Sequence, residues 1–194
     1  MADITQLILD DHQWFRQQFA DLDELRAQTP MDADAIRDIW DPLADRLDVH
    51  AVAEEEIFYP QLLAKGQNDP DEETLDAIGD HNDIRDGVHA AARHPIATRA
   101  WWEAVDRARE ANDEHMGEEE NEGLPDFRLH APRVLRESLG KQFADFLERH
   151  RGSVGISTAD KNPEEYVRTI EAELDPASDS GPAVGLGIGS LRDT

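Results

Sequence analysis

The sequence predicts an all-α protein: an antiparallel up-down four-helix bundle, continued by a fifth helix and a C-terminal extension. Three observations carry this. Apolar side chains recur every three or four residues through four long stretches, the repeat of one helix face. Proline and glycine punctuate the chain between those stretches. No useful length of sequence alternates polar and apolar with period two, so strands are not expected.

The first helix covers residues 3–28, with Ile4, Ile8, His12, Phe15, Phe19 and Leu22 facing inward, and Pro30 closes it. The second spans residues 32–64, its face carrying Ile36, Ile39, Leu43, Leu47, His50, Glu54, Ile57 and Gln61. Pro42 and Pro60 fall inside it, and each is expected to kink or restart the helix, because proline lacks a backbone donor and crowds the preceding turn. Residues 66–71 read as a loop. The third helix takes residues 72–92, with Ile78, His81, Ile84, Val88 and Ala91 inward, and the fourth takes 97–122, with Trp101, Val105, Ala108, His115 and Glu119. Trp101 and Trp102 read as core and surface packing. Gly123-Leu124-Pro125 ends the fourth helix, and His130 is placed in a loop. The fifth, residues 132–150, presents Val134, Leu135, Leu139, Phe143, Phe146 and Leu147. Short connections make neighbouring helices antiparallel. Composition changes after Arg151, dividing the chain into a helical domain at 1–151 and an extension at 152–194. The extension holds two Gly/Ser-rich stretches, 152–158 and 181–190, around one short helix at 163–174 entered through Asn162 as cap and Pro163.

Charge and composition exclude several classes. The 194 residues carry 44 acidic against 19 basic side chains, a formal charge of −25. Nucleic acid is not an expected partner, since phosphate backbones are bound by basic patches. An anionic membrane is disfavoured for the same reason. Only Lys65, Lys141 and Lys161 are lysines. A surface rich in carboxylates and poor in lysine fits a halophilic protein in a salt-rich cytoplasm, where screening removes self-repulsion; a GC-rich genome that favours Arg and Asp gives the same composition. The chain has no cysteine, which removes disulfides, thiol catalysis and thiolate-ligated metal. The N-terminus lacks a basic leader, and no apolar run approaches the ~20 residues that span a bilayer. A cytoplasmic location is the expectation.

Four histidines fall on the apolar faces, one per helix: His12, His50, His81 and His115. A single histidine there is ordinarily a satisfied core residue. Four in four consecutive helices, two of them followed by a glutamate, form a pattern. His50–Glu54 and His115–Glu119 are both HxxxE, and residues i and i+4 lie one above the other on a helix. Each pair therefore aims an imidazole and a carboxylate at one point in the core. Unpaired buried carboxylates cost several kcal/mol, so cations between them are expected. Four imidazoles and two carboxylates suffice for two ions, two histidines each, with Glu54 and Glu119 bridging. Imidazole and carboxylate without thiolate suit iron, and also manganese or zinc. Asp11, Glu55 and Asp80 are acids near enough to orient the imidazoles. In the run Glu118 to Glu122, one residue is a ligand and the rest read as solvated face.

The stretches LILDDHQWFRQQF around His12, HAVAEEEIFYPQL from His50, GDHNDIRDGV around His81 and HMGEEENEGLPDF from His115 together resemble the hemerythrin-like, HHE cation-binding domains. The resemblance covers about residues 1–150. It implies a four-helix bundle holding a non-haem di-iron centre that binds O2, NO or peroxide, with a redox partner left open and the possibility of peroxide- or NO-consuming oxidoreductase activity. The alternative is a non-catalytic module that senses or stores O2 or iron; a third is a structural zinc site. Oxygen carriers of this type place a second histidine one turn after the third-helix histidine. Here that position is Arg85. Their last-helix carboxylate is also spaced five residues from its histidine, not four. One ion therefore has fewer imidazoles than in a carrier, which suits activation of small ligands over reversible carriage. Tyr59, five residues past Glu54, is a candidate neighbour of the centre, with packing beside Pro60 as its ordinary role.

Overall fold

A computed structural model describes residues 2–175, and their regular structure is helical, with no strand among them. The stretch 181–190 lies outside the described residues. α1 (Ile4–Arg26) starts where the Asp3 carboxylate accepts from the Thr5 amide and hydroxyl. α2 (Ala33–Ala53) is capped by Asp32, which accepts from the amides of Asp34 and Ala35. A short carboxylate-bearing residue just outside the first turn satisfies donors that have no partner inside the helix. A π-helical turn (Glu54–Phe58) follows without a break and leads into α3 (Tyr59–Lys65). Then come α4 (Pro70–Ala91), α5 (Arg99–Asn121), α6 (Gly123–His130), α7 (Arg133–Arg149) and α8 (Pro163–Leu174). α8 opens as the sequence predicts, with the Asn162 side chain accepting from the Glu165 amide at 2.8 Å and Pro163 in the first turn.

Four expectations change. α2 runs through Pro42 without restarting. Pro42 lies on the exposed side, where water can serve the carbonyl that proline leaves unpaired. The loop expected after Pro125 is helix α6. α5 stops where Glu122 leaves helical geometry, the Gly123 amide donates to Glu73, and Pro125 then sits in a first turn that needs no donor there. Leu124 and Phe127, three apart, bury in the core, and Asp126 accepts from the Gln67 and Asn68 amides. Val134 is exposed, because α7 turns Leu139, Phe143, Phe146 and Leu147 to the core instead. Trp102 is buried beside Trp101, with the Arg26 guanidinium over its ring.

The core divides into two apolar clusters. One gathers Ile4, Ile8, Val52, Phe58, Ile78, Phe127 and Phe143; the other gathers Phe15, Phe19, Leu43, Ile84, Trp101 and Val105. On α1, His12 falls between Ile8 and Phe15; on α4, His81 falls between Ile78 and Ile84. The buried histidines thus form a polar layer between two apolar ones. None of the described helices is long and apolar enough to cross a membrane.

Candidate metal centre

The local chain geometry around Glu54 explains how two elements of the site share one helix. Pro60 cannot donate a hydrogen bond, and its ring would crowd the carbonyl four residues back in a regular helix. The chain widens by one residue instead, and the Tyr59 amide bonds to the Glu54 carbonyl five residues earlier. Such turns are frequent at functional sites because they re-aim side chains without ending the helix. Here the widened turn brings the Tyr59 ring to 5.8 Å from the His81 ring, centre to centre. Its hydroxyl donates to Glu119 Oε1 at 3.1 Å, a role beyond packing.

The structure brings all six inward side chains together. His12, His50, Glu54, His81, His115 and Glu119 are 0–3% exposed. His50 Nε2 lies 2.8 Å from Glu54 Oε1, and His81 Nε2 lies 3.3 Å from Glu54 Oε2. His12 Nε2 is 3.3 Å from Glu119 Oε2, and the Nε2 atoms of His81 and His115 are 3.2 Å apart. Three overlapping groups have ligand atoms close enough to share an ion: His12, His50 and Glu54; Glu54, His81 and His115; His12, His115 and Glu119.

Three of the four imidazoles are hydrogen-bonded to a carboxylate through their other nitrogen, and the fourth has one nearby. His50 Nδ1 faces Asp11 at 2.9 Å, His81 Nδ1 faces Glu55 at 3.0 Å, and His12 Nδ1 faces Glu120 at 2.9 Å. Asp80 stands 3.7 Å from His115 Nδ1. A carboxylate at Nδ1 places a proton there and leaves the Nε2 lone pair for the centre, the arrangement that orients metal-bound histidines. The inward atoms carry a mismatch that a cation resolves. His12 Nε2, His50 Nε2, both Glu54 oxygens and Glu119 Oε2 are buried, and although they lie close to one another none is aligned for a hydrogen bond. Buried polar atoms are otherwise almost always satisfied. The donor set therefore fits metal.

Cations sit on the outer carboxylates. Arg46 bonds Asp11 and Arg16 bonds Glu120, while both Arg85 and Lys161 bond Glu55. Arg85 is fully buried and turned to Glu55, so it offers the centre no ligand. Burial works against the charge of Glu55, but His81, Arg85 and Lys161 outweigh it and bring its pKa down to about 2. Glu120 is held at about 2 by the His12 hydrogen bond and by Arg16. Glu120 does not lie on the solvated face that the sequence predicts: it points across to His12 and Arg16 of α1, and no spacing within α5 carries that information. Glu73, also unforeseen, is pushed up to about 7 by burial and by Glu119 and Glu122 opposite.

Without a metal, burial disfavours charge on His50 and His115. Glu54 and Asp11 overcome this for His50, raising it to about 9; Asp80 and Glu54 do so for His115, raising it to about 10. Both pKa values exceed the ~6.5 of an unfolded histidine. Their contribution to stability is full below pH 6.5 and is lost as the pH rises through 9 to 10. The ion-free protein is therefore expected to melt lower at pH 9.5 than at pH 6.5. Ion uptake must displace the same protons, so affinity should rise over this range. Thermal melts and proton release measured on the two forms check both signs.

A family model described as Hemerythrin HHE cation binding domain matches residues 3–127. That span contains all six inward side chains and leaves α7 and α8 outside. No curated protein and no solved structure matches the chain.

Proposed function

The chain belongs to the hemerythrin HHE cation-binding family, and from that premise we propose that it holds two iron ions and binds or reacts with O2, NO or peroxide in a protective role. His12 and His50 would hold one ion and His81 and His115 the other, with Glu54 and Glu119 between them. Iron at this position supplies electron exchange with a small bound molecule. The observation that carries the reading is the donor set itself: four imidazole nitrogens and two carboxylates, sealed between apolar clusters at 0–3% exposure. A site so enclosed admits only small molecules. Nitrogen and oxygen donors without sulfur suit iron.

The protein's own groups serve this chemistry in stated ways. Phe15 and Phe143 pack edge-on against the His50 ring, at 5.1 and 5.8 Å between ring centres, and exclude water on that side. Burial, with Glu119 and Glu54 nearby, keeps the Tyr59 hydroxyl protonated well above its ordinary range, so it remains a donor to Glu119 Oε1. Arg85, at the place where a carrier has a further histidine, leaves the His81–His115 ion with fewer imidazoles, which favours reaction over carriage.

The test is metal analysis joined to an optical spectrum under argon, air, NO and peroxide. Two iron per chain and a spectrum that responds to at least one of these ligands is the expected result. Zinc as the bound metal, or iron with a spectrum indifferent to all three, overturns the proposal. Turnover of peroxide or NO by the iron form separates an enzyme from a non-catalytic sensor or store.

A further inference from the structure

The outer carboxylates differ in where their cations come from. Asp11 takes Arg46 and Glu120 takes Arg16, all from the helices that carry the histidines. Glu55 takes one cation from α4, Arg85 at 2.7 Å, and a second from the extension, Lys161 at 2.6 Å. Lys161 lies beyond the span that matches the family. Its main chain is fixed to the residue next to His81: Asn82 Nδ2 donates to the Lys161 carbonyl at 2.8 Å, and the Lys161 amide donates to Asn82 Oδ1 at 3.0 Å. Five residues on, the Tyr166 hydroxyl donates to the Glu55 carbonyl, and the Lys161 ammonium lies 5.6 Å from the Tyr166 ring centre. The extension therefore holds Glu55 at both its main chain and its carboxylate. The other carboxylate oxygen accepts from His81 Nδ1.

We infer that residues 161–166 form a clasp on the centre, with Lys161 a positioning residue that holds the Glu55 carboxylate against His81 Nδ1 and so governs retention of the ion bound by His81. The inference rests on the two-ion reading above. Glu55 is fully buried, and Lys161 neutralises the oxygen that His81 and Arg85 do not use. Without it, that oxygen is a buried charge with no partner, and the carboxylate gains reason to turn from His81. Outer groups of this kind change metal affinity by roughly 10–100-fold when removed. The clasp ties this half of the centre to the extension, whereas the carboxylates behind His12 and His50 take their cations from α1 and α2.

The experiment follows release of iron to excess chelator from the full chain, comparing wild type, Lys161→Met and Lys161→Arg. Lys161→Met should release one ion about 10–100-fold faster and the other at the wild-type rate, and Lys161→Arg should return the fast phase to within a few-fold of wild type. Two unchanged phases overturn the clasp, as do two phases accelerated alike, which would report general loosening. A second readout uses the metal-free chains: the ring nitrogen resonances of His81 should shift in Lys161→Met and revert in Lys161→Arg. Should the wild type take up no iron, the proposed function fails, and an unchanged His81 spectrum then decides against the clasp separately.

Discussion

On the two-ion centre proposed above, Glu54→Gln is expected to lower bound metal from about two ions per chain to fewer than one. Glu54 belongs to two of the three groups that could share an ion, and its oxygens lie 2.8 Å from His50 and 3.3 Å from His81. The amide keeps the shape of the side chain but removes the charge, and only one of its two terminal atoms can still ligate. Both halves of the centre should therefore weaken together, in contrast to the one-sided effect expected at Lys161. Stability follows by linkage: an ion at 1,000 times its Kd stabilises the folded state by about 4 kcal/mol, and that increment vanishes with the ion. The melting difference between ion-loaded and ion-free protein should collapse in Glu54→Gln. Glu56→Gln, two residues along and exposed, should change neither metal content nor melting. Retention of two ions at wild-type release rates by Glu54→Gln would remove Glu54 from the site.

What could be read in the sequence was what lies within one helix. The spacing of three and four residues located the long helices, and the i,i+4 relation put His50 over Glu54 and His115 over Glu119. The cap at Asn162 was legible because a capping side chain and its target amides are neighbours in sequence. Groups that meet across helices were harder to foresee. His12 meets Glu120 only because α1 and α5 are rotated to face one another, and Glu55 meets Lys161 across 106 residues of chain. The π turn was hidden because a regular helix puts residue 59 off the face of residue 54; Pro60 was the signal, and a wider turn answers it while preserving the helix. α6 is not legible because Gly123-Leu124-Pro125 reads equally well as an end or as a new first turn, and burial of Leu124 and Phe127 decides between them.

The closeness of α4 and α5 yields the second large effect, Gly87→Ala. A Cβ built at Gly87 would lie 2.7 Å from the N, Cα and Cβ of Ala108, closer than real atoms approach. Most of that contact is backbone, so no side chain can rotate away, and the two helices must part. Overpacking of this kind costs typically 1–3 kcal/mol, against a gain of about 1 kcal/mol from replacing a helical glycine by alanine. The same substitution at Gly79 on α4 or Gly117 on α5 meets nothing within 4 Å. Those two variants should therefore gain stability by up to about 1 kcal/mol, while Gly87→Ala loses it. The consequence reaches the site because α4 carries His81 and α5 carries His115. Gly87 is six residues from His81, roughly 9 Å along the helix, and the two imidazoles stand 3.2 Å apart at Nε2. Parting the helices widens that gap. Gly87→Ala should thus lower the melting temperature and speed release of the ion held by His81 and His115, leaving the His12–His50 half less affected. A variant that melts like Gly79→Ala would mean that the close approach at residue 87 is not what sets the spacing of these two helices.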